Sequence, residues 1–571
     1  MAQTTIGRRE ASAAREFVGL RRLPLEPLAL LAIGAVALAL RLWPLRHFSL
    51  DFQDEGAYWQ SLKAMAAGYP LFSVVFSSQP PFFLLGLFPF YQLFGGTIVA
   101  ARLGVALYSL LGLAAVYYIG RATAGRWAGL LACALLAVDP LYLAESRTLQ
   151  AEAPSAGLAL AGVALAAVAM GQAGAGRRWR AAASGVAIGL GVLTKLFDVA
   201  ALVPAALYLA APLFAALRGA EGRLPAPRRA DIWRALRLAG PDLLLLGAGF
   251  VVACAAVLTP FLPVRELAYD QVVRFHQVAE HTNALGKTGW RANLATIRDT
   301  VLSFYALPYL LLALTGVALA VWRRAWTLAP PLAWLAISLG LLVRQTPLIW
   351  HHVVLLAPLL AIVAGAALPL ALTLHPQPLS LEGKGEHPAL QPPLSRARES
   401  RVDRRRSRGA TPQRSAGWRG EGLLAYALLV LVGVSALAGL WSSVEADRSR
   451  VDTNPPPAAV QRRMAAVLQD STRPGEFVVT DGQYIAGLAG RSVPPELVDT
   501  SLVRIQVGQL DPRYFSLRRL EDIIARDRVR TILFATGRLG PTAHMLGFRP
   551  WVRRRYRLVA RFGKDGELYQ Q

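Results

Sequence analysis

Apolar residues along this 571-residue chain come in long runs, not in alternation. Such runs lie near residues 27–45, 100–120, 127–144, 153–171, 181–195, 199–217, 241–262, 302–322, 327–343, 349–372 and 423–441. Most approach the roughly 17–25 residues a helix needs to cross about 30 Å of hydrocarbon. The pattern predicts an α-helical polytopic membrane protein with about eleven transmembrane helices. One apolar stretch is set apart. "PPFFLLGLFPFYQLFGG", from Pro80, is only about 16 residues long, short for a span. With Pro89 in its middle and aromatic residues throughout, it is expected to be a re-entrant or surface helix.

Charge supplies the orientation. Lys and Arg number 61 against 36 Asp and Glu, a net +25, a balance that in a soluble chain would suggest nucleic acid. Here the basic residues cluster between apolar runs, as in cytoplasmic loops of membrane proteins, so no nucleic-acid partner is expected. With the N-terminus inside and the Pro80 segment not crossing, the loops 121–126, 172–180, 218–240, 323–326 and 373–422 hold the arginines and face the cytoplasm. If the segment crossed, that bias would reverse. Residues 1–26 are then a cytoplasmic segment, and a retained first helix is favoured over a cleaved signal peptide because so many spans follow. A membrane module fills 27–372 and carries an acidic outer loop, 46–99. The 373–422 loop is basic and, over 375–421, Pro- and Arg-rich without periodicity; it is expected to be disordered. A last span at 423–441 leads to 442–571, a small extracytoplasmic α/β accessory domain. "PGEFVVTDG" and "VRTILFAT" read as its strands, and 456–469 and 517–528 as helices. Cys133 and Cys254 both fall in apolar spans, so neither a disulfide nor a cysteine metal site is indicated.

Polar residues change the picture at the outer ends of the spans. "LDFQDEGAYW" places Asp51, Asp54 and Glu55 just beyond the first helix. "DPLYLAESRTLQAEAP" offers Asp139, Glu145, Arg147 and Glu152; "GLGVLTKLFDVAALVP" offers Lys195 and Asp198 between two short helices. Arg344, His351 and His352 sit at another outer break, and Arg102 opens the span after the surface helix. A basic residue facing lipid at a helix centre costs roughly 2.5–3.5 kcal/mol, so these residues belong at the interface or in a cavity. Taken singly they have plain readings: Lys195–Asp198 as an interfacial salt bridge, the two histidines as an anchor, Arg147 as a structural residue. Their convergence on one membrane face favours a charged cavity suited to an anionic, lipid-linked substrate. A divalent cation is compatible with the gathered acids, though no specific ligand spacing is present.

The acidic loop after the first helix, with its Asp-Glu pair and the following Tyr58, resembles that of GT-C glycosyltransferases. The closest types are bacterial relatives of protein O-mannosyltransferases and lipid A aminoarabinose transferases, of glycosyltransferase family 39. "SQPPFFLLG" resembles their Lys/His-Pro-Pro-Leu segment, "GLGVLTK" their Gly-Leu-x-x-Leu-Thr-Lys segment, and "WHHVVLLAPLLAI" their late Tyr-x-x-x-x-x-Pro span. The resemblance covers roughly 27–370, with Gln79 standing where those families carry Lys or His. It implies a plasma-membrane transferase that moves a hexose or pentose from a polyprenyl-phosphate donor to a hydroxyl on a protein, lipid or polysaccharide acceptor. The reaction would take place on the extracytoplasmic face, with inversion. Asp54 would be the general base, since the attacking hydroxyl must lose its proton, with Glu55 in support. Lys195, Arg102 and Arg344 would meet the leaving phosphate, and Asp51, Tyr58, Gln79, Glu145, Arg147, His351 and His352 would contact substrate. The rival class is a transporter or flippase of lipid-linked or anionic sugars. Transporters often show internal repeats with interrupted helices, and no such repeat is visible here.

Overall fold

The computed structural model describes residues 25–46, 52–218, 229–282, 289–345, 348–372, 426–442, 456–499, 517–536, 539, 547–563 and 566–571. Asp51 and the basic 375–421 segment lie outside the described residues.

Every apolar run has its helix. Six helices are long and apolar enough to cross a membrane: Leu25–Leu42, Ile98–Ala124, Glu152–Met170, Ala235–Val278, Trp326–Arg344 and Trp350–Leu372. Two bent pairs bring the number to as many as 8: Arg126–Ala137 with Pro140–Ser146, at 63°, and Trp290–Phe304 with Leu307–Trp322, at 116°. The three remaining runs fold as the arginine-bearing helix Gly174–Val192 and the shorter apolar helices Leu196–Leu209 and Tyr426–Ser442. Both bends have a chemical cause. A proline opens the second helix of each pair, where its missing N–H is harmless but continuation from the previous helix is blocked.

The bundle packs through small residues. A Cβ on Gly157 would lie 2.2 Å from the Tyr108 carbonyl oxygen, and one on Gly185 would lie 1.9 Å from that of Leu246. Backbones approach this closely in membrane bundles because no side chain stands between them. The Pro80 stretch forms the helix Pro81–Leu93, 13 residues with Pro89 inside. At 1.5 Å per residue it reaches roughly 20 Å, short of the hydrocarbon thickness. It buries Phe83, Leu84, Leu87 and Tyr91, and its Phe82 N–H donates to the Leu193 carbonyl at 2.9 Å. That bond brings the Gln79 segment beside Lys195.

The C-terminal domain is a four-stranded sheet in the order β1 (Val478–Thr480), β2 (Thr531–Phe534), β4 (Gly566–Gln570), β3 (Arg557–Phe562). The β1/β2 pair is parallel and the other two pairs are antiparallel. Val478, Ile532, Phe534 and Leu568 are buried, and the helices Ala458–Ser471 and Leu517–Arg526 fall where the spacing predicts them. The β3–β4 hairpin adds to the two strands expected. This domain rests on the acidic helix Phe52–Ala66, with the rings of Trp59 and Tyr484 5.9 Å apart.

Candidate active site

The stretch "FQDEGAYW" begins the helix Phe52–Ala66, with Asp54 and Glu55 in its first turn, where the helix dipole favours carboxylates. The two acids then part company. Glu55 is fully buried. Arg102 grips it with Nε on Oε1 at 2.6 Å and Nη2 on Oε2 at 2.7 Å, and the Leu149 N–H donates to Oε1 at 2.8 Å. Arg102 also donates from Nη1 to the Leu45 carbonyl at 2.8 Å and from Nη2 to the Tyr484 hydroxyl at 3.4 Å. A planar guanidinium suits such a fork, and here it ties the turn Trp43–Arg46, the acidic helix, the 149 loop and the C-terminal domain together.

Asp54 is half-buried, and its charge acts on Tyr58 and on His351. Tyr58, one turn further along, packs edge-on against Phe83 with centroids 4.7 Å apart, and its hydroxyl accepts from Gln79 Nε2 at 3.3 Å. Burial first, then the charges of Asp54, Glu152 and Asp499, hold the Tyr58 phenol well above its ordinary pKa. At neutral pH it is therefore an uncharged hydroxyl. The Gln79 segment is itself clamped: Ser77 N–H donates to Gln271 Oε1 at 3.0 Å, and a His276 ring nitrogen lies 3.0 Å from the Ser78 carbonyl.

The second half of the site is a buried cluster around Glu152, the first residue of the helix Glu152–Met170. Lys195 forms an ion pair with its Oε1, while His351 Nε2 and His352 Nε2 stand 3.4 Å and 3.9 Å from the same oxygen. Lys195 is held there by local backbone. It is the extended residue, φ −154°, between the helix Gly174–Val192 and the 3-10 turn Leu196–Ala201. His352 Nδ1 accepts from the Ile349 N–H at 3.3 Å, so the neutral ring carries its proton on Nε2, toward Glu152. The plain reading of a Lys195–Asp198 salt bridge fails. The partner of Lys195 is Glu152, and buried Asp198 is hydrogen-bonded by Ser155.

Of the residues expected from sequence, the structure brings Asp54, Tyr58, Gln79, Lys195, His351 and His352 into one neighbourhood. Arg102 and Glu55 lie beside it, directed at each other. Arg344 ends the helix Ala329–Arg344 and is exposed. Glu145 and Arg147 are buried on and just after the turn Pro140–Ser146, and Arg147 Nε donates to the Leu143 carbonyl at 3.1 Å. Glu152 was visible in the sequence but given no role; an acid opening an apolar helix of 19 residues was its signal. Tyr484, Asp499 and His276 had no comparable signal.

The donor atoms of Glu152, His351 and His352 lie within 4.8 Å of one another, a mixed nitrogen and oxygen set of the kind that binds zinc. The Lys195 ammonium already neutralises the carboxylate, however, and a dication at the same oxygen would have to expel it. Lys195 thus occupies Oε1, while Oε2 of Glu152 has no hydrogen-bond partner among the described residues.

Residues 78–217 match the family model described as dolichyl-phosphate-mannose-protein mannosyltransferase. That range contains Gln79, Arg102, Glu145, Arg147, Glu152 and Lys195. No curated protein sequence matches the chain significantly. Among solved structures, apo ArnT from Cupriavidus metallidurans is 16% identical over 98% of this chain and 98% of its own, with a TM-score of 0.58. The same protein bound to undecaprenyl phosphate is 16% identical over 95% and 97%, with a TM-score of 0.57. The archaeal oligosaccharyltransferase AglB from Archaeoglobus fulgidus, in complex with an inhibitory peptide and a dolichol-phosphate, is 14% identical over 90% and 69%, with a TM-score of 0.50. The chain has the GT-C glycosyltransferase fold, membrane module and C-terminal domain included.

Proposed function

We propose that this chain is a membrane glycosyltransferase that moves a sugar from a polyprenyl-phosphate donor to a hydroxyl acceptor, with inversion and with Asp54 as general base. The observation that carries the reading is the buried Lys195 ammonium, set among Glu152, His351 and His352, with His351 in turn feeling the charge of Asp54. The match of residues 78–217, which hold Glu152 and Lys195, to a mannosyltransferase family model supports it, as does the likeness to a structure that holds undecaprenyl phosphate.

The chemistry follows from the donors and acceptors present. The acceptor hydroxyl forms a bond to the anomeric carbon and gives its proton to Asp54, while the bond from that carbon to the phosphate oxygen breaks. The electron pair leaves with the lipid phosphate, whose charge is met by the Lys195 ammonium and the Nε2–H of His352. Glu152 takes one Lys195 hydrogen and leaves two for phosphate oxygens. Tyr58 and Gln79 offer neutral hydrogen bonds to the sugar. Arg102 and Glu55 satisfy each other, and separating a buried pair of this kind is costly, so both act as the frame that holds Asp54 instead of touching substrate. Arg344 is proposed to meet lipid headgroups. The acceptor, whether protein, lipid or polysaccharide, reaches the site from the side of the acidic helix.

The test compares Asp54→Asn with wild type, purified in detergent, using undecaprenyl-phosphate sugars as donors. Transfer should fall by about 10²–10⁴-fold while undecaprenyl phosphate still binds and the melting temperature holds. Equal transfer by the two proteins would remove Asp54 from the mechanism, and failure of wild type to bind undecaprenyl phosphate would remove the donor class.

A further inference from the structure

At about 100° per residue, the helix Phe52–Ala66 presents two opposite sides. Asp54 and Tyr58, four apart, share the side that faces Gln79 and the Glu152 cluster. Gly56, Trp59, Gln60 and Lys63 share the other, and all four are taken up by the C-terminal domain. A Cβ on Gly56 would lie 2.3 Å from the Tyr484 backbone nitrogen, and one on Gly487 would lie 2.3 Å from the Trp59 ring. The helices Phe52–Ala66 and Gln483–Leu488 touch because each has a glycine where the other comes closest. Gln60, buried, donates from Nε2 to the carbonyls of Gln483 at 3.1 Å and Arg491 at 3.2 Å, and its Oε1 accepts from the Val493 N–H at 3.3 Å. Lys63 Nζ donates to the Arg491 carbonyl at 2.8 Å. Tyr484 then reaches past the helix to the Arg102 that grips Glu55, the neighbour of Asp54.

We infer that the C-terminal domain is a working part of the active site: by fixing the back of this helix through Gly56, Gln60 and Gly487, it sets the position of Asp54 on the front. The inference rests on the glycosyl-transfer reading above. Gln60, Gly56 and Gly487 are positioning residues, since none faces the cluster that receives substrate. The physical argument is one of rigidity. The first turn that carries Asp54 is held from the side by the Arg102–Glu55 pair and from behind by the C-terminal domain. Buried amide bonds to backbone, with no slack in the glycine contacts, transmit any shift of the domain directly to that turn. A displacement of about 1 Å at a reacting group can lower the rate about 10²-fold.

The experiment uses the full chain with Gln60→Ala, on the helix, and Gly487→Ala, on the domain, so that one failing to fold leaves the other as evidence. For each, kcat, donor KM, the Kd for undecaprenyl phosphate and the melting temperature are measured beside Asp54→Asn. The expected result is a kcat lowered about 10–100-fold with the Kd within about twofold of wild type, because Lys195 and Glu152 stand on other segments. Unchanged kcat in both folded variants, with Asp54→Asn inactive, overturns the inference and leaves the function standing. A parallel loss of kcat, lipid-phosphate binding and melting temperature also overturns it, because the contacts would then be merely structural. Full activity of Asp54→Asn sinks the function reading and this inference with it.

Discussion

Lys195 stands on a buried carboxylate, and that makes its substitution informative in two ways at once. Removing the ammonium alone leaves Glu152 charged and buried among His351, His352 and apolar neighbours. Breaking such a pair costs about 3–5 kcal/mol, so Lys195→Met should lose stability and lipid-phosphate binding together. Lys195→Met combined with Glu152→Gln removes both charges and keeps the volume, and should return the melting temperature to near that of wild type. Binding of undecaprenyl phosphate should not return, because the cation is still missing. A double variant that binds the lipid phosphate normally would reduce Lys195 to a structural ion. The same geometry bears on metals. Since the ammonium already neutralises Glu152, excess EDTA should leave transfer within about twofold of the untreated protein. Loss of transfer restored by zinc would show that a metal displaces Lys195.

Among the elements, the tightest test of the bundle is Gly185. Its missing side chain lets the helix Gly174–Val192 lie against Arg229–Leu258 with the Leu246 carbonyl where a Cβ would be. Gly185→Ala must push the two helices apart, a strain of about 1–3 kcal/mol for one added methyl in a packed core. A clear fall in detergent melting temperature is expected; an unchanged value would mean that the helices separate without cost. The existence of each membrane helix was legible because twenty-odd apolar residues leave few alternatives. Their bends at Pro140 and Pro308 did not show in the apolar runs 127–144 and 302–322, because a proline that starts a helix leaves the hydropathy unbroken. Less legible was pairing. Lys195 and Asp198 are three apart in sequence, yet an extended residue in the break turns the lysine toward Glu152. A helical spacing rule does not apply there. In the C-terminal domain, β1 and β2 showed as short apolar runs, whereas β3 lies at a sheet edge and carries Arg557 and Arg561. The Asp-Gly pair in "FGKDGE" was its one sequence signal. Tyr484 and Asp499 lie in a domain beyond the reach of the family motifs, so only tertiary contact shows where they act.

On the scale of the whole molecule, the positions of charge along single helices argue for one orientation. The helix Ile98–Ala124 has Arg102 at the site end and Arg121 in its last turn; the rise between them is roughly 28 Å at 1.5 Å per residue, close to the hydrocarbon thickness. The next helices alternate in step. Glu152 opens Glu152–Met170 at the site, and Arg177 opens the return helix, paired with Asp242 and donating to the Leu209 carbonyl at 2.9 Å. That helix leads back to Lys195. The acidic helix and the C-terminal domain therefore share one end, and the short arginine-bearing turns share the other. Since cytoplasmic loops carry the excess of Arg and Lys, the site end is expected to face out. Cysteines introduced at exposed Ala67, beyond the acidic helix, and Asp470, on the C-terminal domain, should react with an impermeant maleimide in intact cells. One at exposed Ala173, in the turn between Glu152–Met170 and Gly174–Val192, should react only after permeabilisation. Cys133 and Cys254 are replaced by alanine in all three proteins to keep the background silent. Labelling of Ala173→Cys in intact cells, with Ala67→Cys protected, would invert the molecule and place the proposed transfer on the cytoplasmic side, where the donor would have to present its sugar from the inner leaflet.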